Sequence, residues 1–112
     1  MRRLKVLFSA WCLLAPFIVS ADAIYHVRSL AASCAACHGT DGNSVGGTPV
    51  LAGLGRSQFV SQMLAFRSGS VASSVMYHHA KGLTEQEIDQ LADYFAAQPC
   101  VTAFSPSPLK GF

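Results

Sequence analysis

Five consecutive residues, Cys34-Ala35-Ala36-Cys37-His38, constrain this chain more than any other stretch. Two thiols three positions apart, near the end of a helix, can reach the two vinyl groups on one edge of a porphyrin and form thioethers. The next residue, a histidine, is then held beneath the iron and can donate a ring nitrogen to it. The motif therefore predicts covalent attachment of one haem through Cys34 and Cys37, with His38 as an axial ligand of the iron.

Two other chemistries use the same pair of cysteines. A thioredoxin-like redox pair needs a strand, a loop and a helix around the motif, and the chain offers no strand there. A structural zinc site needs four ligands, and no second C-x-x-C or H-x-x-x-H follows. The zinc alternative would combine the motif with one of three further histidines, His26, His78 or His79.

The start of the chain predicts a secretory signal peptide over residues 1–23. Residues 1–5 form a basic n-region with Arg2, Arg3 and Lys5, residues 6–19 are almost all apolar, and Ala21-Asp22-Ala23 forms an A-x-A cleavage site, although cleavage after Ala21 fits equally. An uncleaved anchor is the alternative, but the apolar run is short for a membrane span and is interrupted by Pro16. Export to the periplasm suits thioether formation, and we expect no stable membrane span after cleavage.

Charge and length limit the classes of function. The 112 residues carry a formal net charge of +2, and three of the basic residues (Arg2, Arg3 and Lys5) belong to the predicted leader. The remainder is nearly neutral and has no basic stripe, so nucleic-acid binding has no support. We expect one small domain over residues 24–99, in which the haem contributes apolar surface to the core, followed by a flexible Pro- and Ser-rich tail over residues 100–112.

Apolar spacing predicts helices and no strands. A first helix is expected over residues 24–36, followed by a long Gly- and Pro-rich loop over residues 39–55. A second helix over residues 58–67, capped by Ser57, ends at Gly69, and residues 70–79 show only weak helical signals. The last helix begins at a capping box and runs towards Pro99. Its box is Thr84 with Glu87, and its apolar stripe is Ile88, Leu91, Ala92 and Phe95.

Two single residues have open interpretations. A backbone carbonyl near Pro49 could accept the proton on the nitrogen of His38 that does not bind iron, or Pro49 could merely stiffen the loop. Cys100 is left over once the haem uses Cys34 and Cys37. It is either a partner in an intermolecular disulfide or, as we favour, a buried and inert thiol.

The order of these segments resembles the class I c-type cytochromes over Leu30–Gln98. The likeness rests on C-A-A-C-H-G-T-D-G-N-S from Cys34, P-V-L-A-G from Pro49, F-R-S-G from Phe66, and L-A-D-Y-F-A from Leu91. The segment V-M-Y-H-H-A-K-G from Val75 is most similar to the monohaem cytochrome subunit of flavocytochrome c sulfide dehydrogenase. The resemblance implies an all-α, small cytochrome c fold of three to four helices wrapped around one covalent haem.

The resemblance also implies the second axial ligand of the iron. In that family a methionine before the last helix binds opposite the histidine, and Met76 matches this place. His78 and His79 are close enough in sequence to substitute, Met63 lies on the apolar face of a helix where methionine usually fills the core, and an open sixth position is a further alternative. We therefore predict His38 and Met76 as the metal ligands.

The function that the resemblance implies is single-electron transfer without catalysis by the chain itself. The expected partner is the flavoprotein subunit of a sulfide dehydrogenase or another redox protein. The alternatives are a free soluble carrier to a terminal oxidase or other reductase, and a haem protein that binds a gas or peroxide. Four residues are candidates for the rim of the haem site, namely Tyr77, His78, Val50 and Leu51.

Overall fold

The computed structural model describes residues 21–101, and within them four helices and no strand are formed. They are α1 (Ala21–His38), α2 (Arg56–Ser68), α3 (Ser74–Lys81) and α4 (Glu85–Ala96), with one 3-10 turn at Thr40–Gly42. The all-α prediction is confirmed. The predicted leader, apart from Ala21–Ala23, and the predicted tail beyond Val101 lie outside the described residues.

Helix α1 is longer than its apolar pattern predicted, covering residues 21–38 rather than 24–36. The alanines inside the C-x-x-C-H motif are strong helix formers and carry the helix through it. Gly39, at φ +79°, then ends the helix, and its amide donates to the carbonyl of Ala35 over 3.0 Å. The apolar face packs on the core as predicted: Ala31 is buried, and Val27, Leu30 and Cys34 lie against the core cluster.

The long loop from Gly39 to Gly55 is closed on itself by two backbone hydrogen bonds and attached to α4 by a third. The amides of Leu51 and Ala52 donate to the carbonyl of Gly42 over 2.8 and 3.2 Å, and the amide of Gly53 donates to Phe95 over 2.9 Å. Gly42 has φ +77°, a conformation that favours glycine. These bonds bring the loop segment around Pro49 back beside the end of α1.

Helix α2 begins earlier than predicted, and the predicted Ser57 cap is wrong. The residue before the helix is Gly55, which offers no side-chain cap, and the first helical residue is Arg56. The Arg56 guanidinium binds Asp93 over 2.9 Å and Asp89 over 3.0 Å, both on α4. Arg56 is the first residue of α2, so Ser57 lies inside the helix rather than ahead of it. Gly69 ends α2 in the left-handed conformation, as predicted.

Helices α3 and α4 both begin at side-chain caps. The amide of Met76 donates to the Ser73 hydroxyl over 3.2 Å at the start of α3. At the start of α4 the predicted capping box is confirmed. The amide of Glu87 donates to Thr84 Oγ1 over 3.1 Å, and the amide of Thr84 donates to Glu87 Oε2 over 2.8 Å.

The core lies where α2 and α4 cross. Helix α2 packs against both α3 and α4, and α1 packs against α4. The rings of Phe59 and Phe95 meet with centroids 5.7 Å apart. The core cluster draws its buried side chains from all four helices, and its members are Ala31, Phe59, Met63, Ala80, Ile88, Leu91, Ala92 and Phe95.

The last described residues lie along the surface. Asn43 donates to the carbonyl of Pro99 over 3.1 Å and accepts from the amide of Val101 over 2.8 Å. Cys100, between them, is exposed, so the interpretation of this thiol as buried is wrong. Across residues 21–101, no helix is both long and apolar enough to cross a membrane.

Candidate functional site

A cavity of about 850 Å³ lies among α1, the long loop, α2, α3 and α4. Cofactor sites typically have volumes of about 300–1,000 Å³, with mostly apolar walls and a few convergent polar groups. This cavity follows that pattern. Its apolar walls are Leu30, Pro49, Val50, Leu51, Leu54, Phe59, Met63, Phe66, Val71, Val75, Leu83 and Leu91.

Cys34 and Cys37 both line this cavity from α1. Their spacing in a helix places them on neighbouring turns of one wall. Cys34 is half-buried, whereas Cys37 is exposed. Burial raises the pKa of the Cys34 thiol, against smaller opposing effects of hydrogen bonds to Ser33 and the backbone, so this thiol is neutral at physiological pH. The arrangement presents two thiols to the same space, next to a histidine.

His38 is the last residue of α1, lines the cavity and is only 9% exposed. Its Nδ1 donates a hydrogen bond to the carbonyl oxygen of Pro49 over 2.7 Å. A carbonyl oxygen only accepts, so the proton of the neutral ring lies on Nδ1 and Nε2 keeps a free lone pair. The hydrogen-bond interpretation of the Pro49 segment is thereby confirmed. The ring is held in the tautomer that can bind a metal ion through Nε2.

Met76 reaches the same cavity from α3, where it is half-buried. The structure thus brings the four predicted site residues together around one space. Two of the alternative ligands also line it: Met63, which is 6% exposed and part of the core, and His79, which is exposed. His78 does not line the cavity. Core packing by Met63 agrees with the role expected from its place on the apolar face of α2.

The predicted rim residues divide into two pairs. Val50 and Leu51 line the cavity, and Val50 is 41% exposed. Tyr77 and His78 are not among the lining residues, so their assignment to the rim has no support from the cavity. Their side chains interact with each other instead, with ring centroids 5.4 Å apart. Helical geometry explains the division, because α3 turns Tyr77 and His78 away from the side that carries Met76.

Loop contacts that hold the site were missed by sequence reasoning. Asp41 accepts a hydrogen bond from the Tyr94 hydroxyl over 2.7 Å, and Asn43 binds the backbone around Cys100. These partners are separated by more than fifty residues, so no local sequence pattern indicates them. They attach the first part of the long loop to α4 and to the chain after it.

The donor set suits a covalently held haem. Two thiols share one wall of an apolar cavity, an imidazole with a free Nε2 lone pair lies beside them, and a thioether lines the cavity from another helix. Histidine with methionine is an axial pair found in cytochromes c. Among residues 21–101, no group of three or more His, Cys, Asp or Glu side chains is arranged to hold a metal ion.

A model of the cytochrome c family matches residues 27–98, from α1 to just beyond α4. The chain belongs to the cytochrome c family. The match covers most of α1 and the whole of α2, α3 and α4, and it identifies the protein as an electron carrier with covalently bound haem c. The predicted class and cofactor are therefore confirmed.

Three curated relatives illustrate the range of the family that the chain matches. It is 46% identical over 66 residues to the cytochrome subunit of sulfide dehydrogenase of Chlorobaculum tepidum, covering 59% of this chain and 60% of that protein. It is 38% identical over 76 residues to cytochrome c-554(547) of Halothiobacillus neapolitanus, covering 58% and 84%. Cytochrome c4 of Pseudomonas aeruginosa is 39% identical over 72 residues, and the match covers 63% of this chain but only 36% of that protein.

Proposed function

We propose that this cytochrome is a periplasmic single-electron carrier whose haem is bound by Cys34 and Cys37, with His38 and Met76 as axial ligands. The observation that carries the proposal is the convergence of these four residues on one apolar cavity of about 850 Å³. The iron of a bound haem supplies a one-electron couple, and the protein sets its potential. The chain itself makes and breaks no substrate bonds.

Each part of the chain has a distinct task in this proposal. The hydrogen bond from His38 Nδ1 to Pro49 keeps the ring oriented and strengthens Nε2 as a donor. The thioether of Met76 is a soft, neutral ligand that favours the reduced iron and raises the potential. Apolar walls around the site exclude water, so few water molecules have to reorient when the charge of the iron changes. Half-exposed Val50 leaves one side of the cavity accessible for electron exchange.

The proposed donor is a flavoprotein subunit that oxidises sulfide. It is supported by the identity to a cytochrome subunit of sulfide dehydrogenase. A free soluble carrier is the second candidate, and it is favoured by the likeness to a protein named thiosulfate dehydrogenase electron acceptor, from Thiomonas intermedia, at 40% identity over 68 residues.

The haem assignment is tested with the full chain produced in a host that matures c-type cytochromes. Denatured wild-type protein should retain haem after separation on a gel, and Cys34→Ala with Cys37→Ala together should lose it. The oxidised wild type should show the weak long-wavelength absorption band of thioether-bound ferric haem. Met76→Ala should abolish this band, whereas Met63→Leu, which replaces the other cavity-lining methionine with a side chain of similar volume, should keep it. Survival of the band in Met76→Ala would refute the ligand assignment, and a spectrum of an open sixth position in the wild type would favour gas or peroxide binding.

The partner is tested by isolation from the native periplasm under mild conditions. Co-purification of a flavoprotein, together with rapid reduction of the haem when sulfide is added, supports the sulfide dehydrogenase assignment. Recovery of free monomer that sulfide and that flavoprotein do not reduce would support the soluble carrier instead. Recovery of the protein only from the cytoplasm would contradict export.

A further inference from the structure

Met76 and His79 lie one helical turn apart on the side of α3 that faces the cavity. Both side chains line it, and side chains three positions apart in a helix are neighbours, with roughly 5–6 Å between their Cβ atoms. Ala80, on the same side of the helix, is fully buried against the core and fixes how α3 is rotated. The imidazole of His79 is thus presented to the same space as the thioether of Met76.

His78 is directed elsewhere, although it is the next residue along the chain. Its ring meets the edge of Tyr77 with centroids 5.4 Å apart, and the Lys81 ammonium lies 4.7 Å from the centroid of the same tyrosine ring. Tyr77 in turn lies close to Gly69, at the end of α2. These contacts form a cluster on another side of α3 from the cavity. The two adjacent histidines therefore provide an internal comparison, since only one of them lines the site.

The imidazole of His79 has the chemistry and the freedom to act as a ligand. Neutral imidazole is a common ligand of haem iron, and its Nε2 has a reach from the backbone similar to that of the methionine sulfur. His79 is exposed, so its ring can change rotamer without disrupting packed neighbours. Helix α3 has only 8 residues, and bringing His79 to the place of Met76 needs a shift of about 4.5 Å along its axis, three residues at 1.5 Å each.

We propose that His79 is a reserve axial ligand, able to replace Met76 on the iron; this rests on the function proposed above. In the exchange the bond from iron to the Met76 sulfur breaks and a bond to a nitrogen of the neutral His79 ring forms. One lone pair replaces another, so no electron is gained or lost and no proton is released. Imidazole lacks the preference of a thioether for reduced iron, so the exchanged form has the lower potential. The carrier thereby has two forms, one with Met76 and one with His79 on the iron, and they differ in reduction potential.

Four holoproteins test the exchange: the wild type, Met76→Ala, Met76→Ala with His79→Ala, and Met76→Ala with His78→Ala. Optical and electron paramagnetic resonance spectra of the ferric forms report the spin state and the ligands. The single variant should lose the thioether band yet stay low-spin with two nitrogen ligands. The double variant lacking His79 should become high-spin, and added free imidazole should restore its low-spin spectrum. The matched double variant lacking His78 should stay low-spin.

The outcomes separate the inference from the proposed function. High-spin Met76→Ala, or a double variant without His79 that remains low-spin, would overturn the reserve-ligand role while leaving the proposed carrier intact. A fifth holoprotein carries His79→Ala alone, and loss of its low-spin character would overturn the role too, because His79 would then be the resident ligand. Absence of covalent haem from the wild type would refute the proposed function itself. Haem retained on a denaturing gel, and unchanged far-ultraviolet circular dichroism, verify that each variant is folded and loaded.

Discussion

His38 Nδ1 and the carbonyl oxygen of Pro49 are joined by a hydrogen bond of 2.7 Å, although α1 ends at His38 and Pro49 lies 11 positions further along the chain. The bond depends on the loop being held, and the loop is held by Gly42, whose carbonyl accepts from Leu51 and Ala52. Orientation of the proposed proximal ligand is therefore a property of the loop rather than of the helix that carries the histidine. Substitutions in the loop should therefore affect how the His38 ring is held.

Replacing Pro49 by alanine should loosen the loop without removing the carbonyl. Because proline restricts the unfolded chain, Pro49→Ala should lower the free energy of unfolding by about 0.4–1 kcal/mol. The His38 Nδ1 proton should also exchange faster with solvent, as measured by nuclear magnetic resonance of the haem-loaded protein. Pro99→Ala is the matched control, because the Pro99 carbonyl also accepts a side-chain hydrogen bond but lies outside the cavity. An equal increase in the exchange rate of the His38 Nδ1 proton in both variants would contradict the role of Pro49 in holding the ring.

Gly42→Ala should be strongly destabilising. At φ +77° an added Cβ would lie 2.8 Å from the Leu51 Cβ and 2.9 Å from the Ala52 nitrogen. Left-handed strain alone costs on the order of 1–3 kcal/mol, and the contact would also displace the loop bonds to Gly42. Gly46→Ala serves as the control, since a Cβ added there would meet nothing within 4 Å, and should change stability by less than about 0.5 kcal/mol. Chemical denaturation measures the free energy of unfolding of both variants. Similar losses in the two would contradict the role of Gly42 in holding the loop.

Thr84→Ala should weaken α4 by about 1 kcal/mol, because the Glu87 amide loses the hydroxyl that caps it over 3.1 Å. Ser57→Ala should change the free energy of unfolding by less than about 0.5 kcal/mol, since Ser57 lies inside the first turn of α2 and caps nothing. Thermal or denaturant unfolding of both variants checks the pair. A larger loss in Ser57→Ala than in Thr84→Ala would contradict these helix starts.

That contrast shows which parts of the fold are predictable from sequence. The start of α4 depends on two residues three positions apart, Thr84 and Glu87, so the local pattern is sufficient. The start of α2 has no side-chain cap at Gly55, and its first residue, Arg56, binds Asp93, which lies 37 positions away, so no local pattern marks it. Helix α3 has only a weak signal in the sequence, because its apolar side chains face a cavity as well as the core and do not form a continuous stripe.

The candidate site divides in the same way. Cys34, Cys37 and His38 are close in sequence, and α1 alone places them together, although the loop at Pro49 orients the ring of His38. The contribution of α3 depends on how that helix is rotated, which buried Ala80 determines only in the folded protein. Sequence reasoning therefore reached Met76 through family resemblance, and it could not tell which of two adjacent histidines lines the cavity.

Glu87 should make the stability of the domain depend on pH. Its carboxylate accepts hydrogen bonds from the Thr84 amide, then His26, then the Thr84 hydroxyl, and these hold its pKa below the ordinary value of 4.5. The folded state thus favours the charged form, so the stabilisation is fully present above that ordinary pKa and is lost as pH falls through the lowered one. As the pH falls from the ordinary pKa through the lowered one, the difference in unfolding free energy between wild type and Glu87→Gln should shrink. His26→Gln should reduce the pH-dependent part without removing it, whereas a difference that stays constant on acidification would refute the linkage.

The hydrogen bond from Tyr94 to Asp41 should have the opposite dependence on pH. Donation to Asp41 over 2.7 Å, then burial, then the negative charge of Asp41 raise the pKa of Tyr94 above its ordinary value of 10.0. The folded state favours the neutral phenol, so this stabilisation is present below the ordinary pKa and is lost as pH rises through the raised one. In a Tyr25→Phe, Tyr77→Phe background Tyr94 is the remaining one of 3 tyrosines, and ultraviolet absorbance follows its ionisation alone. Adding Asp41→Asn should lower the titration midpoint, because the charge that opposes ionisation is removed. An unchanged midpoint would mean that Asp41 does not hold the phenol, and the loop before Asn43 would then need another attachment to α4.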